Sequence, residues 1–197
     1  MENPIAYLNN LQQIITKIIN TQMIPIEASA AAFAETLENG RNIFLFGTGH
    51  SHMLAEELFY RAGGLVNIRP VLDSALMLHE SASRSTKMER LLGYAQILFD
   101  DYGMKAGDLI VIISNSGRNG VCVDLAQLAK EKGLKVIALT NLNHSKAAHS
   151  RHASGKSCMN LPISFLITAA AWETQVFPYG SLAETLQQPQ QAPAPQY

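Results

Sequence analysis

Four short groups of residues hold the side chains able to do chemistry. The first, Gly47-Thr48-Gly49-His50-Ser51, follows the apolar run Ile43-Phe44-Leu45-Phe46 and precedes a helical pattern. Glycines there let the chain turn tightly, and the unpaired amides at a helix start, with the Ser51 hydroxyl, suit a phosphate or another anion. The second group, Ser114-Asn115-Ser116-Gly117-Arg118-Asn119-Gly120, repeats the theme after the run Leu109-Ile110-Val111-Ile112-Ile113. The third is His52 with Glu56, four residues on, so both share one helix face beside the first loop; such a pair can bind a metal or share a proton, and a surface hydrogen bond is the plainer reading. The fourth is His79-Glu80, in a polar stretch between apolar ones, where a histidine titrating near neutral pH and a carboxylate could serve as acid and base or stay solvated. The first loop fits neither familiar nucleotide pattern: His52 stands where a dinucleotide fingerprint needs a third glycine, and no Gly-Lys-Ser/Thr closes a P-loop. Taken alone, a glycine pair is also compatible with an ordinary strand-to-helix turn.

These groups need elements to hold them. Ile5, Leu8, Leu11, Ile15, Ile18 and Ile19 recur at helical spacing, which predicts a helix ending before Pro25. Ile26, Ala30, Phe33 and Leu37 predict a second helix, opened by Pro25 and stopped at Asn39-Gly40. Such stripes ahead of a first strand pack either on the sheet or against a second copy of the chain. The pattern further predicts a helix over 52–62 closed by Gly63-Gly64, an extended segment over 66–72, and a helix over 88–102. A buried strand at 109–113, a helix at 121–132 capped by Gly133 and a strand at 136–139 complete the series. Strand, helix, strand in short bounded units gives an α/β fold with a parallel sheet and right-handed crossovers. In such a sheet ligands sit beyond the carboxyl ends of the strands, where both loops lie.

Composition narrows the partners. The 197 residues suit one domain; 15 basic against 16 acidic groups and no basic stripe argue against nucleic acid. No basic and apolar leader opens the chain, and no run reaches the ~18 apolar residues of a membrane span, so no membrane partner and a cytoplasmic location are expected. Cys122 and Cys158 show neither metal spacing nor a disulfide framework.

Together the loops resemble the sugar isomerase (SIS) domain family, with its Gly-x-Gly-x-Ser first loop and Ser-x-Ser-Gly second loop. Gly47, Gly49, Ser51, Ser114, Ser116 and Gly117 match, and the likeness covers about residues 26 to 156. The His-Ser-His turn, Ala55-Glu56-Glu57-Leu58 and the His79-Glu80 loop look most like its UPF0309-type, phosphoheptose-isomerase-like group. The resemblance implies a flavodoxin-like three-layer sandwich with a five-stranded sheet, a phosphosugar ligand in carbohydrate metabolism, and homodimers or homotetramers with sites near subunit interfaces. It implies phosphosugar binding at Gly47, Thr48, Gly49, His50, Ser51, Ser114, Asn115, Ser116, Gly117 and Asn119. Phosphoheptose isomerases carry a zinc-binding His-x-x-x-Glu pair that His52 and Glu56 resemble, about one helical turn nearer the loop.

Beyond Lys156 the likeness stops. A family member continues with an Ala-Asp segment, a strand and a long closing helix, whereas this chain ends in a Gln, Pro and Ala rich tail expected to be disordered. Reverse-translating residues 156–167 and regrouping the bases two positions on permits Lys-Leu-Tyr-Glu-Leu-Ala-Asp-Ile-Val-Leu-Asp. The expectation is therefore an SIS domain over 1–156, incomplete at its end, followed by a frame-shifted 157–197. A genuine divergent ending, with Phe165 to Ala171 as a substitute strand, is the alternative. For function, the enzyme reading is aldose-ketose isomerisation of a sugar phosphate with Glu56, Glu57, His79 and Glu80 as acid and base candidates. A lyase or etherase of a phosphorylated amino sugar, or a non-catalytic phosphosugar sensor, uses the same handle.

Overall fold

The computed structural model describes residues 4–161 and 165–168. Five strands, β1 (Ile43–Gly47), β2 (Ile68–Val71), β3 (Leu109–Ile113), β4 (Lys135–Thr140) and β5 (Phe165–Thr168), form one sheet in the order β2-β1-β3-β4-β5. Every pairing is parallel. This is the flavodoxin-like order, with the reversal of winding between β1 and β3, where ligands of open parallel sheets collect.

Alternating side chains divide the central strands between two cores. Phe44, Phe46, Ile110, Ile112 and Val136 face one layer, built by α4 (Tyr94–Asp101) and α5 (Gly120–Glu131) with Leu98, Val121, Leu125 and Ala129. Ile43, Leu45, Leu109, Val111, Ile113 and Ile137 face the other, under Ala32, Phe33 and Leu37 of α1 (Pro4–Glu38) and Ala55 of α2 (Met53–Leu58). Burial on both faces is why β1 and β3 are unbroken apolar runs.

The two predicted N-terminal helices are one, α1, which carries Pro25 in its interior. Proline removes a single helical donor, and helical bonding on both sides, with Ser29 Oγ donating to the Pro25 carbonyl at 2.7 Å, carries the helix through. The helix predicted over 52–62 is a 3-10 turn, Gly49–His52, then α2, which stops at an extended Phe59 before Tyr60 takes a φ of +49°. The helix predicted over 88–102 begins at Tyr94, because Gly93 takes a φ of +80° in the left-handed region. An additional helix, α3 (Ala82–Met88), forms within the expected polar loop: Ser81 Oγ caps it by accepting from Arg84 N–H at 3.2 Å. A fifth strand, Phe165–Thr168, falls within the residues named as a substitute; residues 162–164 and 169–197 lie outside the described residues.

Candidate functional site

Register brings the two loops together. Gly47 pairs with Ile113 across β1 and β3, so Thr48 and Ser114 leave the sheet side by side. Both hydroxyls lie close to the thiol of Cys122, in the first turn of α5. That thiol is sealed beneath the loops, and burial pushes its pKa up to about 12, with the neighbouring Thr48 and Ser114 hydroxyls acting the other way. It is inert near neutral pH and serves as the floor of the site.

The first loop depends on Gly47. A Cβ there would stand 2.7 Å from both the carbonyl carbon and oxygen of Ser51, so the turn can fold back on the strand only without a side chain. Ser51 N–H donates to the Thr48 carbonyl at 3.1 Å, and Gly49 takes a φ of +57°. His50 is exposed and Ser51 half-buried.

The second loop is bonded to itself and its surroundings. Ser114 Oγ accepts from Gly117 N–H at 3.0 Å. Asn115 C=O accepts from Asn141 N–H at 3.1 Å, and Gly117 C=O from Cys158 N–H at 2.8 Å. Gly117 has a φ of +59°, and a Cβ on it would lie 3.2 Å from that of Cys158. Ser114 is thus turned inward as a loop brace, while Ser116, Asn115 and Asn119 remain at least partly accessible. Asn119 stands at the N-cap of α5 without capping it; its Oδ1 accepts from Arg151 Nη1 at 3.2 Å.

Of the acid, base and metal candidates, three come together and two do not. His52 is buried beside the first loop, with Nδ1 hydrogen-bonded to the Gly49 carbonyl and Nε2 3.5 Å from Glu56 Oε1. The His79 ring meets His52 edge to face, centroids 5.8 Å apart. The segment carrying His79 is tied down on both sides: Ser85 Oγ donates to the Leu76 carbonyl at 2.8 Å, and Asp73 Oδ2 accepts from Tyr94 OH at 2.7 Å. Burial, then Asp73, pushes the Tyr94 hydroxyl up to about 12, so it stays a donor. Glu57 pairs with Arg61 and Glu80 with Arg84, both in exposed ion pairs.

His52 and Glu56 supply two side chains toward a zinc ion. Structural and catalytic sites use three or four protein ligands, and among the described residues no group of three His, Cys, Asp or Glu side chains could hold a metal.

Sequence reasoning missed Glu89 and Arg151. Glu89 Oε2 accepts from Thr48 Oγ1 at 3.0 Å, its backbone carbonyl accepts from Val121 N–H at 3.2 Å, and Arg151 Nη1 lies 3.9 Å from Oε1. With its side chain only 15% exposed, Glu89 is a carboxylate held between the two loops. Glu89 and Arg151 follow no local motif; their partners are 41 and 32 positions away. His144 also reaches the rim, where Asn115 Nδ2 meets its Nδ1 at 3.2 Å. Burial, then Arg118, lowers its pKa, which suits an Nδ1 that accepts from the amide.

Comparison with known proteins follows the same lines. The family model described as SIS domain matches residues 6–141. A UPF0309 protein of Halalkalibacterium halodurans is 46% identical over 155 residues, 79% of this chain and 62% of the relative. A UPF0309 protein of Listeria monocytogenes serotype 4b is 43% identical over 150 residues, 76% of this chain and 61% of the relative. The chain therefore spans 62% and 61% of the lengths of these curated relatives. In fold, it is similar to a phosphoheptose isomerase of Neisseria gonorrhoeae, with a TM-score of 0.63 at 20% identity over 87% of each chain. A phosphoheptose isomerase from Francisella tularensis gives a TM-score of 0.57 at 20% identity, over 84% of this chain and 82% of the other.

Proposed function

The chain belongs to the SIS domain family, and from that premise we propose that it binds a sugar phosphate at the two strand-end loops and, by ancestry, isomerises it between aldose and ketose. The observation that carries the reading is the register that sets Thr48 and Ser114 side by side over one buried thiol. Two loops rich in hydroxyls and amides at neighbouring strand ends give one phosphate several donors at once. The phosphate is then a remote handle, bound equally before and during reaction, and the sugar carbons extend toward His52, Glu56 and His79.

Isomerisation needs a base to take a proton from the carbon beside the carbonyl and an acid to serve the oxygen. Glu56 beside His52, with His79 against that ring, is the favoured set; Glu89 is a further carboxylate at the loops. Glu57 and Glu80 remain candidates only if their ion pairs with Arg61 and Arg84 open. That two of the four candidates are so engaged favours, as a second reading, a phosphosugar sensor without turnover. A homodimer or homotetramer is supported by α1, whose Ile5, Leu8, Ile15, Ile19 and Ile24 are exposed in the single chain. Among the described residues no helix is long and apolar enough to cross a membrane; a cytoplasmic location is part of the proposal.

The domain reading is an SIS domain over 1–156 with an altered ending over 157–197, so slow or absent turnover is expected. A panel of sugar phosphates followed by thermal shift and turnover tests the proposal. A stabilising shift with turnover gives the enzyme, and a shift without turnover gives the sensor. No shift from any member overturns phosphosugar binding. Restoring the reading frame after Lys156 should raise turnover; equal activity of both forms would retire the altered-ending reading.

A further inference from the structure

The rim of this site carries more positive charge than one cradle of hydroxyls and amides needs. Arg118 lies within the second loop, and Arg151, on the segment after α6 (Leu142–Ala147), folds back onto it, its N–H donating to the Arg118 carbonyl at 3.0 Å. Arg151 Nη1 also holds Asn119, the N-cap residue of α5. Burial, then the guanidinium groups of Arg118 and Arg90, lower the Arg151 pKa, with Glu89 acting the opposite way. Arg90 also reaches this place, its backbone carbonyl oxygen standing 3.3 Å from where a Cβ on Gly120 would lie, so three arginines of the chain meet at the start of α5. Glu89 is the one carboxylate acting on Arg151 there, and one of its oxygens is already taken by Thr48. The excess is local, in a chain whose formal net charge is −1.

A second observation concerns the same loop. Ser145, only 3% exposed, has an Oγ without a hydrogen-bond partner, and a Cβ on Gly117 would stand 3.4 Å from that oxygen. A buried hydroxyl left unpaired is costly, and this one lies directly beneath the loop that carries Arg118.

We propose that Arg118 and Arg151 form a second anion subsite beside the Ser-Asn-Ser-Gly cradle, so that the ligand is a phosphosugar bearing a further acidic group, a carboxylate or a second phosphate. The proposal rests on the phosphosugar reading and narrows its substrate class. Arginine suits such a group because its planar fork meets two oxygens of a carboxylate or phosphate in parallel. The two acidic groups of one ligand then span the interval between the cradle and the arginine rim, which also orients the sugar between them.

Three probes bound to the full chain at constant ionic strength test this: glucose 6-phosphate, 6-phosphogluconate and fructose 1,6-bisphosphate, followed by calorimetric titration. At least one of the two doubly acidic probes should bind about tenfold or more tighter than the monophosphate. A margin for 6-phosphogluconate alone assigns a carboxylate, and a margin for the bisphosphate alone assigns a second phosphate. Arg118→Gln should close the margin and Arg118→Lys restore part of it. Lys132→Gln, at the far end of α5, should leave it intact. Equal affinity for all three probes overturns the second subsite and leaves the phosphosugar reading standing. A margin that survives Arg118→Gln, or that falls equally with Lys132→Gln, overturns it as well. If none of the three binds, the phosphosugar reading falls and the subsite with it.

Discussion

After β3 the chain enters a helix of 12 residues whose inner face, Val121, Cys122, Leu125, Ala126 and Ala129, is buried. After β1 it makes one 3-10 turn and a helix of 6 residues that leaves Met53, Leu54 and Leu58 substantially exposed. The two loops share a sequence theme and differ in their support. The second is braced by hydrogen bonds from Gly117 N–H, Asn141 N–H and Cys158 N–H, whereas the first is shaped by a close approach that only Gly47 permits. The lesson is a division of labour: the second loop, braced through its backbone amides, suits the handle of a ligand, and the first, followed by a short and half-exposed helix, carries His52 and Glu56 beside it.

Mutations at the two loops should separate these modes of support. The largest effect is expected from Gly47→Ala, where the added methyl meets backbone rather than a yielding side chain. We expect about 3 kcal/mol of destabilisation, read from the denaturant midpoint, and a wild-type midpoint would mean that the first turn is not shaped by exclusion. Ser116→Ala is expected to act in the opposite category. It should weaken sugar-phosphate binding by about 1–3 kcal/mol in calorimetry and change the unfolding midpoint little, because Ser116 is only partly buried. Unchanged affinity would remove Ser116 from the handle.

Thr48→Val, nearly equal in volume, tests the bridge between the loops by deleting the donor to Glu89. A loss of about 1–2 kcal/mol in stability is expected, toward the lower part of the range for hydrogen bonds to charged groups because Glu89 keeps its Arg151 neighbour. A stability equal to wild type would show that the loops are not coupled through Glu89. The smallest effect concerns pH. Burial and Arg118 lower the His144 pKa below its ordinary 6.5, so the folded chain refuses a proton that the unfolded chain accepts. That contribution is complete above the unfolded pKa and is lost as the pH falls below it. Wild type should therefore lose more thermal stability than His144→Asn on going from about pH 7.5 to 5.5. Parallel pH profiles for the two proteins would contradict this.

The central strands were legible because burial on both faces leaves an unmistakable apolar run, as at Leu109–Ile113, and both glycine loops were legible because they follow such runs. The single α1 was not, since Pro25 reads as a start signal until packing of Ala32, Phe33 and Leu37 extends the helix past it. The break at Gly93 was missed because a lone glycine inside an apolar pattern is only a weak stop. At the site, local spacing found His52 with Glu56, whereas the contact of His79 with that ring appears only in the fold, and spacing could not set Glu56 apart from Glu57, which pairs with Arg61 in the exposed surface. Glu89 and Arg151 reach the loops only through the tertiary fold, and Arg118, inside the loop itself, was the one local hint of the basic rim.

The thiol under the two loops has a consequence in time rather than energy. Cys122 is fully buried, and its thiolate is suppressed by burial, so an alkylating reagent reaches it only while the covering residues are apart. Its labelling rate therefore counts openings of the floor. Any molecule that clasps the loops together slows that count in proportion to its occupancy, which makes the cysteine a built-in clock for ligands that leave no optical trace.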